Sequence, residues 1–185
     1  MSQAVYYVIA AVLVLVVVGL GIVYNGLVRR RNRVDATWSD VDVLLRRRHD
    51  LVPNLVSAVQ GYAGHESATM RAVAEARAAA MGARGPQSSA GPETQLAVGV
   101  KSLLADAEAY PQLKASEAFI DLQHKLAETE DGLEHGRQFY NDAVFGYNTA
   151  VQTFPGAIVA APLGFRTREY FQASGGERAP VSVRT

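Results

Sequence analysis

The feature that most constrains this chain is an uncharged run at residues 5–24, VYYVIAAVLVLVVVGLGIVY, that passes without a stop signal into an amphipathic helical pattern. The run contains no charge, proline or amide side chain. About 20 residues at about 1.5 Å rise give about 30 Å, the thickness of a bilayer core. Tyr6, Tyr7 and Tyr24 sit near its ends, where amphipathic rings favour the headgroup zone. A membrane-spanning helix is therefore expected over residues 5–25, after a short external stretch at 1–4.

The flanks set its direction. Residues 1–4 carry no basic side chain, whereas Arg29, Arg30, Arg31 and Arg33 follow the run. The positive-inside rule then places the N-terminus outside and everything beyond the span in the cytoplasm. A cleaved secretory signal needs its basic stretch before the apolar run, and here the charges lie after it; Gly19-Leu20-Gly21 is a weak cleavage site.

Composition narrows the remainder. Lys+Arg and Asp+Glu number 18 each, so nothing suggests nucleic acid as a bulk partner. The absence of cysteine excludes disulfides and thiolate metal sites. Strand-like alternation is scarce outside the span, and the chain reads as all-α.

Beyond the span, Val34, Trp38, Val41, Leu45, Val52, Leu55, Val59 and Tyr62 recur at steps of three and four, with a gap at Arg48. Pro53 predicts a kink or break near residues 49–52. A second helix is expected over 66–81 and a third over 93–109, separated by a Gly/Pro/Ser-rich linker at 82–92. In the fourth, over 116–154, Phe119, Leu126, Leu133, Tyr140, Tyr147 and Phe154 follow at intervals of seven. Gly132 and Gly136 lie within it, and their propensity penalty of about 1 kcal/mol each implies a packing reason. The apolar stretch 157–165 is too short to span a bilayer, and 172–185 reads as a polar tail.

Several motifs together carry a family resemblance. They are Tyr24-Asn25, Arg31-Asn32, Trp38, Asp42-Val43, Arg47-Arg48-His49-Asp50-Leu51-Val52-Pro53-Asn54 and Gly61-Tyr62, then Glu108-Ala109-Tyr110-Pro111, Phe139-Tyr140-Asn141, Tyr147-Asn148, Phe154-Pro155 and Tyr170-Phe171. In this order and over most of the chain they resemble the LemA family. The resemblance implies a bacterial inner-membrane protein with an N-terminal span and a cytoplasmic antiparallel helical domain, here residues 26–171. It implies no defined reaction.

The residues themselves offer no catalytic constellation. His65-Glu66 begins a zincin-like pattern, but Thr69 stands where the second histidine is required. The four histidines, 49, 65, 124 and 135, show no ligand spacing, and no phosphate loop, dinucleotide fingerprint or serine elbow is present. No catalytic, cofactor or metal role is expected. The cluster Arg29, Arg30, Arg31 and Arg33 serves topology, or binds anionic lipid headgroups, each basic group adding about 1 kcal/mol. Arg48, on the apolar face, is expected either to pair with a carboxylate, one source being the fourth helix, or to lay its stem over the core. Asn141 and Asn148 fit local core hydrogen bonding better than helix-register selection.

Helix lengths suggest that the first and fourth helices run antiparallel, with the second and third packed as a hairpin against half of their length. Val34, Trp38, Val41 and Leu45 on one, and Tyr140, Val144, Tyr147, Val151 and Phe154 on the other, would then be left as an apolar surface for self-association. The leading expectation is a membrane-anchored, non-enzymatic scaffold that self-assembles, with the lipid bilayer and further copies as partners. An adaptor for another membrane protein, a protease or a sensor, comes second, and an enzyme third.

Overall fold

A computed structural model describes residues 2–63 and 68–172. The turn expected at Gly64, the helix start at His65-Glu66 and the tail beyond residue 172 lie outside them. The described residues form six α-helices and no strand: α1 (Ser2–Ala63), α2 (Ala68–Gly82), α3 (Pro86–Ala107), α4 (Pro111–Lys114), α5 (Glu117–Gln152) and α6 (Gly156–Ala160). They divide into two compact units to which α1 and α5 both contribute. The first takes α1 up to Ser39 with Phe139–Glu169; the second takes Asp40–Gln138 and adds Tyr170, Phe171 and Gln172.

The apolar run opens α1, the one helix among the described residues long and apolar enough to cross a membrane. Its residues from Val5 to Ile22 are largely exposed, as a lipid-facing helix requires. Further along, of the kink or break that the sequence suggested near residues 49–52, no break occurs; α1 is helical through to Ala63. Proline removes the N–H that would reach the His49 carbonyl. That carbonyl instead accepts a 2.7 Å hydrogen bond from Arg77 Nε, so a side chain from α2 satisfies the group the proline orphans.

The second unit holds the main core. Val52, Leu55 and Val59 of α1 meet Met70, Val73 and Ala80 of α2, then Leu96, Val100 and Leu103 of α3. Leu113 of α4 and Phe119, Leu122 and Leu126 of α5 complete it. In this unit α1 and α5 run antiparallel at close approach. A Cβ on Gly132 would lie 3.3 Å from Leu44 Cδ2, and one on Gly136 3.2 Å from Val41 Cγ2. These contacts supply the packing reason that the glycines' low helix propensity demanded.

The expected linker at 82–92 is corrected: α3 begins at Pro86, leaving residues 83–85 as the connection. Pro86 sits at the first helical positions, where its missing N–H and fixed φ are compatible with a helix. Ser89, Ala90 and Glu93 are buried, so tertiary packing overrides a composition that favours a loop.

The first unit is built on the remaining lengths of α1 and α5, again antiparallel, with Arg30 opposite Gly146 and Trp38 against Tyr140. After α5 the chain turns at Pro155-Gly156 into α6. A Cβ on Gly156 would collide with the Ala150 carbonyl, so only glycine lets α6 leave α5 in this direction. An extended strap, Phe165–Glu169, then runs along α5 and closes the unit.

Candidate functional site

Two arrangements carry chemistry beyond ordinary packing, one in each unit. In the second unit, Arg48 is fully buried. It occupies the gap in the apolar stripe of α1, and its guanidinium collects three acceptors. Nη1 donates to Glu130 Oε1 of α5 at 2.7 Å, and Nη2 donates to the Glu93 backbone carbonyl at 3.2 Å and to the Glu93 carboxylate of α3. His49 Nε2 holds the other oxygen of that carboxylate at 2.7 Å. Burial alone would push the Glu93 carboxyl upward; the His49 hydrogen bond and the charge and hydrogen bond of Arg48 outweigh it and hold Glu93 below the usual carboxylate range. Arg137 is lowered by burial and by the like charge of Arg48, and its guanidinium stacks over Phe171 at 4.8 Å.

This network ties α1, α3 and α5 into one register. Of the two readings of Arg48, the structure shows the paired one, with the fourth-helix carboxylate supplied by Glu130 and a second by Glu93. Among the described residues no group of three or more His, Asp or Glu converges as a metal site.

The first unit places the residues expected at a self-association surface differently from that expectation. Val34, Tyr140, Val144 and Tyr147 are buried within it, and Val41 and Leu45 are buried within the second unit. They are core, not surface. In the first unit the strap takes the place of a partner: Tyr140 donates its hydroxyl to the Glu169 carbonyl at 2.8 Å, and Asn148 grips the Arg168 backbone from both sides. Asn148 Nδ2 donates to the Arg168 carbonyl at 2.9 Å while the Arg168 N–H donates to Asn148 Oδ1 at 2.8 Å. Asn148 thus plays the local hydrogen-bonding role. Burial raises the Tyr140 phenol to about 12 and also raises Tyr147. Trp38 and Val151 are partly exposed, and Phe154 is 81% exposed.

The arginine cluster lies on the surface of the same unit. Arg29 and Arg33 are exposed; Arg30 reaches the Gly146 carbonyl at 3.3 Å, and Arg31 lies 5.4 Å over the Phe165 ring. Phe165 also meets Tyr24 edge-on at 5.8 Å, fixing α6 and the start of the strap beside the end of the apolar run. Leu20, Gly21 and Tyr24 of α1 and Ile158, Val159, Pro162 and Leu163 line an open apolar groove there, of about 440 Å3.

Comparison with known proteins gives relatives that are longer than this chain, each match covering a smaller share of the relative than of the chain. The magnetosome protein MamQ 2 of Paramagnetospirillum magneticum is 25% identical, the match covering 85% of this chain and 68% of that protein. The magnetosome protein MamQ of Magnetospirillum gryphiswaldense is 24% identical over the same shares. Protein LemA of Metamycoplasma hominis is 24% identical, covering 86% of this chain and 73% of its own. The LemA family signature itself matches residues 37–184, taking in the α1 stripe with Arg48, the whole of α5 and the strap that Asn148 holds; the chain belongs to the LemA family.

Proposed function

We propose that this chain is a membrane-anchored, non-enzymatic scaffold that self-assembles at the cytoplasmic face of the bacterial inner membrane. The observation that carries this reading is on the outward side of α5 in the first unit. Phe139 and Phe145 are each 65% exposed there, although Tyr140, Val144 and Tyr147 on the opposite side of the same helix are buried. Aromatic rings bury 150–250 Å2 when covered and are enriched at protein interfaces. The inner stripe of α1 and α5 is consumed by the chain's own packing, so the association surface shifts to this outer face, with Phe154 beyond it.

Two measurements test the proposal. The parent chain in detergent or nanodiscs should show one uniform mass of several copies. Phe139→Glu with Phe145→Glu should reduce it while leaving helix content intact, since neither ring is core. A monomeric parent that co-purifies with one stoichiometric membrane protein would instead select the adaptor reading. For orientation, the arginines follow the span directly, and a reporter fused after Thr185 should be active only in the cytoplasm. Activity of that fusion outside the membrane would overturn the orientation.

A further inference from the structure

We infer that the groove between the end of the span and α6 is a lipid site, holding one acyl chain of an anionic phospholipid. The inference rests on the reading that the apolar run of α1 spans a bilayer. Its floor is Leu20, Gly21 and Tyr24, the last turns of that run, so the groove opens at the depth where acyl chains are the surrounding medium. Its other wall, Ile158, Val159, Pro162 and Leu163, is equally apolar. Ile158 and Leu163 remain 62% and 55% exposed, which suits side chains that meet hydrocarbon rather than water.

The headgroup preference comes from charge. Arg29 lies about 8 Å beyond Tyr24 along the same helix, at the level of a phosphate above its chains. Arg30, Arg31 and Arg33 follow it, and Arg166 adjoins Phe165, whose ring packs on Tyr24. No carboxylate occurs before Asp35 in α1, or between residues 153 and 168 on the other wall. A negatively charged headgroup there meets only positive charge.

The groove is shaped by particular residues rather than by general hydrophobicity. Gly21 leaves its floor open, with no atom within 4 Å of where a Cβ would project, and Gly19 offers equal room elsewhere on the helix. Gly21→Phe should fill the groove, and Gly19→Phe supplies the matched control.

The test uses the full chain in detergent micelles, with Trp38→Phe removing the sole native tryptophan and Leu163→Trp placing a reporter on the wall. Titration with phosphatidylglycerol brominated on its acyl chains should quench the reporter with saturation at one lipid per chain. Brominated phosphatidylcholine should need about tenfold more lipid, in keeping with the contribution of basic groups near a membrane surface. Gly21→Phe should abolish the saturable phase and Gly19→Phe should retain it, with helicity by circular dichroism unchanged in both. Quenching that grows in proportion to lipid content without saturating, or that survives Gly21→Phe, overturns the site. Equal saturation by both lipids overturns the arginine contribution. Particle mass is read on the same samples: a monomer with saturable quenching defeats self-assembly alone, and an assembly without it defeats the groove alone.

Discussion

Replacing Arg48 with methionine should lower the unfolding free energy by about 3–5 kcal/mol, because removal of one partner strands a buried charge. The stranded group is Glu93, 1% exposed, which would keep the His49 hydrogen bond and the more distant charge of Arg137. Arg47→Met is the internal control: its 3.4 Å pair with Glu128 is exposed on both sides and should be worth less than about 1 kcal/mol. Urea unfolding of the full chain in detergent, followed by far-ultraviolet circular dichroism, measures both. A loss below about 1 kcal/mol for Arg48→Met would show that the network contributes no more than a surface pair.

The same network predicts a pH dependence. Glu93 is held below its ordinary value near 4.5 in the folded chain, so the unfolded chain binds the proton more readily. Its stabilisation is therefore fully present above about pH 4.5 and is lost as pH falls from there through the depressed folded value. Glu93→Gln should flatten that acid limb while lowering stability at neutral pH.

How far the sequence reveals these features depends on whether a residue's partner is local. The gap at Arg48 in an otherwise apolar stripe is visible because a helix repeats every 3.6 residues, and a charge inside that repeat needs a counter-charge. Glu130 lay in the element named for that role. Glu93 reads as the first residue of a helix that follows a Gly, Pro and Ser linker, whereas α3 begins at Pro86 and buries Ser89, Ala90 and Glu93 within it. The break offered as one outcome at Pro53 is overturned for a related reason. The orphaned carbonyl is a local prediction, whereas Arg77, which satisfies it, comes from another helix. The heptad of α5 was legible through Tyr147, and Phe154 departs from it because α5 ends at Gln152. Of the apolar residues assigned to self-association, Val34, Val41, Leu45, Tyr140, Val144 and Tyr147 are buried by the chain's own packing. What the pattern could not show is that an extended segment without periodicity of its own returns to cover some of them.

That strap gives the second large effect. Asn148→Leu should release Phe165–Glu169 from α5, because Asn148 satisfies both the N–H and the carbonyl of Arg168 and no leucine can replace either bond. Leaving two backbone groups without partners costs about 1–3 kcal/mol each where they are shielded from water. The strap keeps further ties, among them the Tyr140 hydroxyl on the Glu169 carbonyl, the 3.0 Å pair of the Arg168 side chain with Asp35 and the Phe165 ring on Tyr24, so it should open locally rather than unfold the unit. Arg166 and Arg168 make that opening measurable, since trypsin cuts only an extended and accessible chain. A local destabilisation of about 2 kcal/mol corresponds to roughly a 30-fold faster cut at these two positions when opening and closing outpace cleavage. Asn148→Asp retains the acceptor for the Arg168 N–H and loses the donor to its carbonyl, so it should fall between the parent and the leucine variant. If Asn148→Leu is cut at the parent's rate after Arg166 and Arg168, the strap is held by Phe165 and its aromatic contacts instead, and Phe165→Ala becomes the variant that should open it.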